Sequence, residues 1–438
     1  MRLALFTSQF PSRVSTFFAR DLRALLDAGV EVDVFPIYSL DVRLWQYVPE
    51  ILSPKVFPRH RVHHLSLGRS LRLWRPWPAR RMKRLAHDAA AVGLSALPYG
   101  ILPVAKSFYT FPKACAWARQ RSAKDYDHVL AYWGNYAATC ACVFHRLLDR
   151  DIPFSMFLHA GTDLYRTQVY LSQKLLYADN IFVVCEFNRE FLRHRYPRIY
   201  PRIAEKIHLH HLGLNLDDLP FQPGGRSPRR VLGVARFSWH KGFEYLLRAV
   251  GKLAARGVNV EVDLIGDGEG RKSLETLTRR LGIGRQVQFL GWLPFADVQA
   301  AMARAALLVH PSPDIGDGVP TVIKEAQALG TPVVGTRVAG IPELLDHGRC
   351  GMVVPPKDAG ALAEAIALLL ADEALRRRYA HAARQHAENL YDMWRNGLRL
   401  AAMLRTTVRR LRDGQPPSRR PERPQRILPR SHDASLRP

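Results

Sequence analysis

The chain has 438 residues, of which 47% are hydrophobic, and a net charge of +25. That is ample for real cores and predicts two domains of about 200 residues each. No run of about 18 apolar residues suggests a transmembrane helix, and the opening MRLALFTSQFPS lacks the parts of a signal peptide. Five scattered cysteines give neither a disulfide frame nor a zinc spacing, and read as buried free thiols of a reducing cytosol. The charge favours nucleic acid or an anionic membrane surface as partner.

In chain order, Arg2 to Ser8 reads as a strand, Gln9 to Thr16 as a turn, Phe17 to Ala28 as a helix stopped by Gly29, and Val30 to Tyr38 as a second strand. A βαβ opening predicts a doubly wound α/β domain. No Gly-x-Gly-x-x-Gly follows the first strand, which argues against a dinucleotide cofactor. Arg59 to Arg121 interrupts this pattern. Arg69, Arg72, Arg75, Arg80, Arg81, Lys83 and Arg84 interleave with Leu71, Leu73, Trp74, Trp77 and Met82, and an apolar stretch from Ala89 to Ala105 follows, broken by Pro98 and Pro103. Such a stretch suits the interface of an anionic bilayer; the alternative is a helical insert with a solvated basic face.

His128 to Trp133, Phe154 to His159, Asn180 to Cys185 and Lys206 to Gly213 are further strands. Asp125-Tyr-Asp127 has the form of a metal-binding Asp-x-Asp, but it precedes a strand, whereas ligand loops follow one, so it reads as a turn and no metal is expected. His159 ends a strand, where open sheets bind ligands; His210 and His211 lie within a later strand and read as structural. Domain one is therefore 1–213, and the Asp-, Pro- and Gly-rich stretch 214–229 reads as a linker. Domain two, 230–375, opens with a strand to Arg236, a loop to Gly242 and a helix from Phe243 to Ala255. Strands at Val258 to Gly268, Gln286 to Trp292, Ala306 to Val309 and Gly351 to Pro356 follow, then helices over 376–412 and a basic tail, 413–438, expected to be disordered.

The richest stretch is His310 to Glu343. Pro and Gly residues break the chain after Val309, a helix is expected from Pro320 or Thr321, and a strand from Thr331. Asp317 and Glu325 are two acids with seven residues between them. Gly316 and Gly318 leave room for close approach, and a helix start offers free N–H groups to a phosphate. Carboxylates beside it suit sugar diols. A solvated surface loop is the plain alternative.

Gly318, Pro320, Glu325, Gly340, Pro342 and Glu343 together resemble the nucleotide-sugar site of retaining GT-B glycosyltransferases of the "glycosyl transferases group 1" type, and VLGVARFSWHKGFEYLLRAV resembles their diphosphate loop. The chain departs from that pattern at Asp317, where Glu is usual. The resemblance implies two Rossmann-like domains facing a cleft, the last helix returning to the first domain, and sugar transfer with retention and without a metal or other cofactor. It is nearest to bacterial transferases of exopolysaccharide, capsule or lipopolysaccharide. It further implies that Glu325 holds the ribose, Asp317 and His159 face the donor sugar, and Arg236 and Lys241 carry the diphosphate. Gly318, Val319, Pro320, Gly268 and Trp292 would line the donor, and Ser12, Ser15 and Thr16 would face the acceptor. Glu186-Phe-Asn188 also matches a position of the family. The partners implied are a nucleotide sugar and a glycan or polyprenyl-linked saccharide, in the cytoplasm or on the inner face of the membrane, with nucleic acid disfavoured. A sugar-nucleotide epimerase of the same fold, and a non-catalytic binder of anionic polymer or membrane, are the competing readings.

Overall fold

The computed structural model describes every residue except 13–15, 39–40, 74–76, 122–124, 149–150, 162, 167 and 415–438. The chain divides into two compact units, residues 1–213 with the helix Met393–Arg412, and residues 214–392. The expectation for the tail beyond 414, and those for Ser15, Trp74 and Arg75, lie outside the described residues.

The first unit is built on six parallel strands: β1 (Arg2–Thr7), β2 (Glu31–Pro36), β3 (His128–Ala131), β4 (Phe154–Leu158), β5 (Asn180–Val183) and β6 (Ile207–Leu209). Their order is β2-β1-β3-β4-β5-β6, with Leu5 opposite both Val34 and Leu130. Strands covered on both faces are apolar throughout rather than alternating, which is why LALF and FSMFL read so clearly in the sequence. The helix Thr16–Asp27 packs on the closing helix, where Gly397 sits so close to Ala24 that a Cβ there would come within 2.2 Å of it. Of the Asp-x-Asp pair, Asp127 is structural: it accepts from the backbone N–H of Arg2 at 2.9 Å and pairs with Arg412 at 2.6 Å.

The basic segment is not an appendage. It forms the helices Leu67–Arg72, Ala79–Ala96 and Ile101–Gln120, and the last contributes buried Phe111 and Trp117 to the core. The guanidinium groups of Arg81 and Arg119 both lie over the ring of Trp77, at 5.2 and 4.3 Å from its centre. Two cations held by its ring give it a structural part here. Exposed apolar side chains gather at the turn between the two long helices, at Leu94, Leu97, Ile101 and Leu102, with Leu71 and Phe108 exposed away from it.

The second unit has another six parallel strands: β7 (Ser227–Val234), β8 (Glu261–Ile265), β9 (Val287–Gly291), β10 (Ala305–His310), β11 (Val333–Thr336) and β12 (Met352–Val354). The order β12-β11-β10-β7-β8-β9 reverses direction between β10 and β7. The supposed linker belongs to this unit and is no free spacer. Leu214 and Leu219 are fully buried, and the ring of Phe221 fills the space beside Gly330. Arg226 donates to the carbonyls of Met302 and Ala305 and to Thr331 Oγ1, and burial pushes its pKa down to about 10. Apolar and hydrogen-bonding anchors hidden among Asp, Pro and Gly hold it down. The boundary expected at 375 falls inside the helix Glu373–Leu390, which stays wholly with this unit.

Candidate functional site

The reversal in strand order of the second unit sets the site. Where neighbouring crossovers leave a parallel sheet in opposite directions, the loops after the two central strands splay apart and leave a crevice at their carboxyl ends. Here those strands are β7, whose loop carries Arg236 and Lys241, and β10, whose loop carries Asp317.

Two close approaches bind these loops together. Gly242 has φ +65°, and a Cβ there would meet the carbonyl oxygen of Pro311 at 2.1 Å, so only glycine lets the β7 loop rest on the β10 loop. Lys241 Nζ lies 2.7 Å from Asp317 Oδ2. The same oxygen accepts from His310 Nε2 at 2.5 Å and from Ser312 Oγ at 2.8 Å. Burial raises the pKa of Asp317, but the Lys241 ammonium and then His310 outweigh it and hold the carboxyl well below the usual carboxylate range. Beside it, Asp314 Oδ1 accepts from the backbone N–H of Gly316 at 2.7 Å, and its other oxygen lies 3.9 Å from His240.

The helix after this loop runs from Thr321 to Ala328 with Pro320 at its N-cap, in agreement with the expected start. Glu325 is only 9% exposed, which rules out the solvated-surface alternative for this acid. Gly340 donates to the carbonyl of Gly318 at 2.9 Å, so the Gly-x-Pro-Glu turn is tied back onto the acid loop. Val319 is half-buried against the apolar core under this helix. Arg236 is different. It is 73% exposed and pairs with Glu269 at 2.9 Å, so its head group is solvated, whereas Lys241 is about a quarter exposed. Gly268 packs against the backbone of Phe237 at the foot of the β7 loop, a Cβ there coming within 2.6 Å of its carbonyl oxygen. Trp292 is exposed just after β9.

In the first unit, His159 follows β4 and is buried. Its Nδ1 lies 3.3 Å from Asp163 and its ring 4.4 Å from that of Trp133, while Nε2 has no hydrogen-bond partner among the described residues. Asn188, singled out with Glu186, holds the backbone of this turn by donating to the carbonyls of Leu158 and His159 at 3.0 and 2.6 Å. His210 pairs with buried Asp21 at 3.3 Å, which gives it the structural part expected. Ser12 is half-buried and Thr16 opens the first helix, exposed. Among the described residues, no three His, Cys, Asp or Glu converge in a way that could hold a metal ion. All five cysteines are free and buried, and burial pushes the Cys115 and Cys350 thiols up to about 12.

Sequence reasoning gave no role to His310, Ser312, Asp314 or His240. The only available signal was position: His310 is the last residue of the strand at the reversal point.

Comparison with known proteins adds likenesses of sequence and fold. Residues 220–386 match the family model described as "Glycosyl transferases group 1". WcaL of Escherichia coli, provisionally named for colanic acid biosynthesis as a glycosyltransferase, is 25% identical over 387 residues, covering 84% of this chain and 90% of WcaL. The amylovoran biosynthesis glycosyltransferase AmsK of Erwinia amylovora is 25% identical over 393 residues, covering 85% and 92%. The structure of HepE from Anabaena, solved with UDP, superposes with a TM-score of 0.66 at 18% identity over 92% of this chain and 99% of HepE. Two parallel sheets, a crevice at the strand reversal of the second and these likenesses lead to one conclusion: the chain has the GT-B fold of glycosyltransferases, and residues 220–386 of its second unit match the glycosyl transferases group 1 family.

Proposed function

We propose that this chain moves a sugar from a nucleotide sugar, with retention and without a metal, to a glycan or polyprenyl-linked saccharide during assembly of a bacterial surface polysaccharide. The observation that carries the donor half of this reading is the meeting of Lys241 with the loop of Asp317 and the helix of buried Glu325 at one strand reversal. A leaving diphosphate gains negative charge as the sugar bond breaks, and a nearby ammonium stabilises it. Arg236 supplies a second, solvent-exposed cation, and Glu325 accepts from the ribose diol. Trp292 offers a flat face for the base, and in the first unit Nε2 of buried His159, which has no partner among the described residues, is a donor or acceptor for a sugar hydroxyl. Ser12 and Thr16, at the entry to the first helix, are assigned together with Ser15 to the acceptor. The names of WcaL and AmsK support the polysaccharide setting, and the UDP held by HepE supports a nucleotide donor.

The test is a thermal-shift panel of UDP, GDP, ADP and dTDP, with and without EDTA. A bound ligand raises the melting point by mass action. A shift with one nucleoside diphosphate, unchanged by EDTA, is expected; no shift with any of them would sink the reading.

The same reading places the enzyme on the inner face of an anionic membrane. The helix Ala79–Ala96 presents one exposed stripe, from Arg80, Lys83 and Arg84 through His87 to Leu94, and Leu97 continues it past the helix end. Cations at one end and leucines at the other suit lipid phosphates and acyl chains respectively. Among the described residues no helix is long and apolar enough to cross a membrane, so the contact proposed is peripheral.

A further inference from the structure

We propose that Asp317 is a charge-balancing partner of Lys241 that loosens the enzyme's hold on the nucleoside diphosphate, so that the product left after sugar transfer can depart. The inference rests on the donor-site reading above.

The two members of the pair are held very differently. Asp317 Oδ2 already takes three donors: Lys241 at 2.7 Å, His310 at 2.5 Å and Ser312 at 2.8 Å. His310 is the last residue of β10. Ser312 is fully buried, and its own carbonyl accepts from Thr336 Oγ1 at 2.7 Å, at the end of β11. The carboxylate is thus fixed by two strands. Lys241 ends a flexible four-carbon stem, is about a quarter exposed, and has three N–H donors, of which one suffices for Asp317. A second anion can therefore recruit the ammonium without Asp317 moving, and Lys241 is shared between them. The cost falls on the nucleotide. A carboxylate kept ionised beside the shared cation repels a diphosphate, and repels it more as the leaving group gains charge. The same commitment of Oδ2 explains the missing methylene: the shorter acid reaches Lys241, His310 and Ser312 at hydrogen-bond distance from within its own loop.

The decisive experiment is calorimetric titration of wild type and Asp317→Asn with UDP, GDP, ADP and dTDP. The amide keeps the shape and removes the charge. We expect the variant to bind the preferred nucleoside diphosphate about 10-fold more tightly and to show stronger product inhibition in turnover. A merely structural role would weaken binding, and a role confined to the donor sugar would leave the bare diphosphate unaffected; either result overturns the proposal. If wild type binds none of the four, the donor-site reading itself falls, which separates the two failures. Melting curves give an independent check that needs no ligand. Lys241→Met strands a buried carboxylate and should lower the melting temperature, and adding Asp317→Asn should restore at least half of the loss. No restoration would show that the pair is not coupled.

Discussion

Lys174 carries a charge that the first unit holds at a cost. It is buried, donating to the carbonyls of Gly134 and Asn135 at 2.7 and 3.1 Å, and burial lowers its pKa from the ordinary 10.5 to about 7. Between those values the unfolded chain binds the proton that the folded chain has lost, so this group alone makes stability rise with pH from about 7 to about 10.5. Below 7 both states are charged and the contribution is flat. Lys174→Met should remove that rise, so melting temperatures of wild type and variant should diverge with pH between 7 and 10; parallel curves would count against the argument. Glu325 makes a sharper residue-scale prediction. Glu325→Ala should weaken nucleoside diphosphate binding about 10-fold or more, since the proposed function has this buried acceptor meeting the ribose diol, and a buried hydrogen bond is worth more than a solvated one. An unchanged affinity by calorimetry would remove it from the site. Lys241 and Glu325 could be picked out of the sequence because each sits at a fixed offset in a recognisable motif. His310 and Ser312 could not, because their part depends on residue 317 folding back across a loop onto the strand that precedes it.

At the scale of elements, the site depends on two loops resting on each other, and Gly242 is the contact. Gly242→Ala places a Cβ against the Pro311 carbonyl in a backbone conformation that alanine resists. Gly257 has a similar φ of +73° but open space around it, so it isolates the conformational cost. Gly257→Ala should cost about 1 kcal/mol. Gly242→Ala should cost roughly 2–4 kcal/mol, the clash being added to the strain, and should also lose nucleotide binding as the loops part. Equal denaturant midpoints for the two variants would show that the approach is not tight. Strands were the most legible elements, since a doubly covered parallel sheet leaves unbroken apolar runs such as Ala306 to Val309. The stretch 214–229 misled for the opposite reason. Its Asp, Pro and Gly content describes local backbone preference, while Leu214, Leu219 and Arg226 fix it through partners as distant as Thr331, which no local pattern reveals.

For the whole molecule, the net charge of +25 becomes an argument only once its distribution is known. Part of it is used inside the fold. Lys113 is fully buried, donating to the carbonyl of Ile37 at 2.5 Å, Arg146 pairs with buried Asp88 at 2.9 Å, and Arg81 and Arg119 lie over the ring of Trp77. The composition could not separate these from the solvated cations of Arg80, Lys83 and Arg84. The membrane proposal therefore rests on the stripe in which those three share a helix face with Leu94, and it predicts two separable contributions. Vesicles containing anionic lipid should retain the protein in flotation, and neutral vesicles should not. Raising the salt should weaken retention, because screening shortens the reach of exposed charges to a few ångströms. Leu97→Glu with Ile101→Glu should abolish retention at low salt as well, because both side chains are exposed and their replacement leaves the fold intact while placing carboxylates against lipid phosphates. Retention that survives the double substitution but not high salt would reduce the contact to charge alone. Retention indifferent to both would move the membrane-facing surface away from this helix pair.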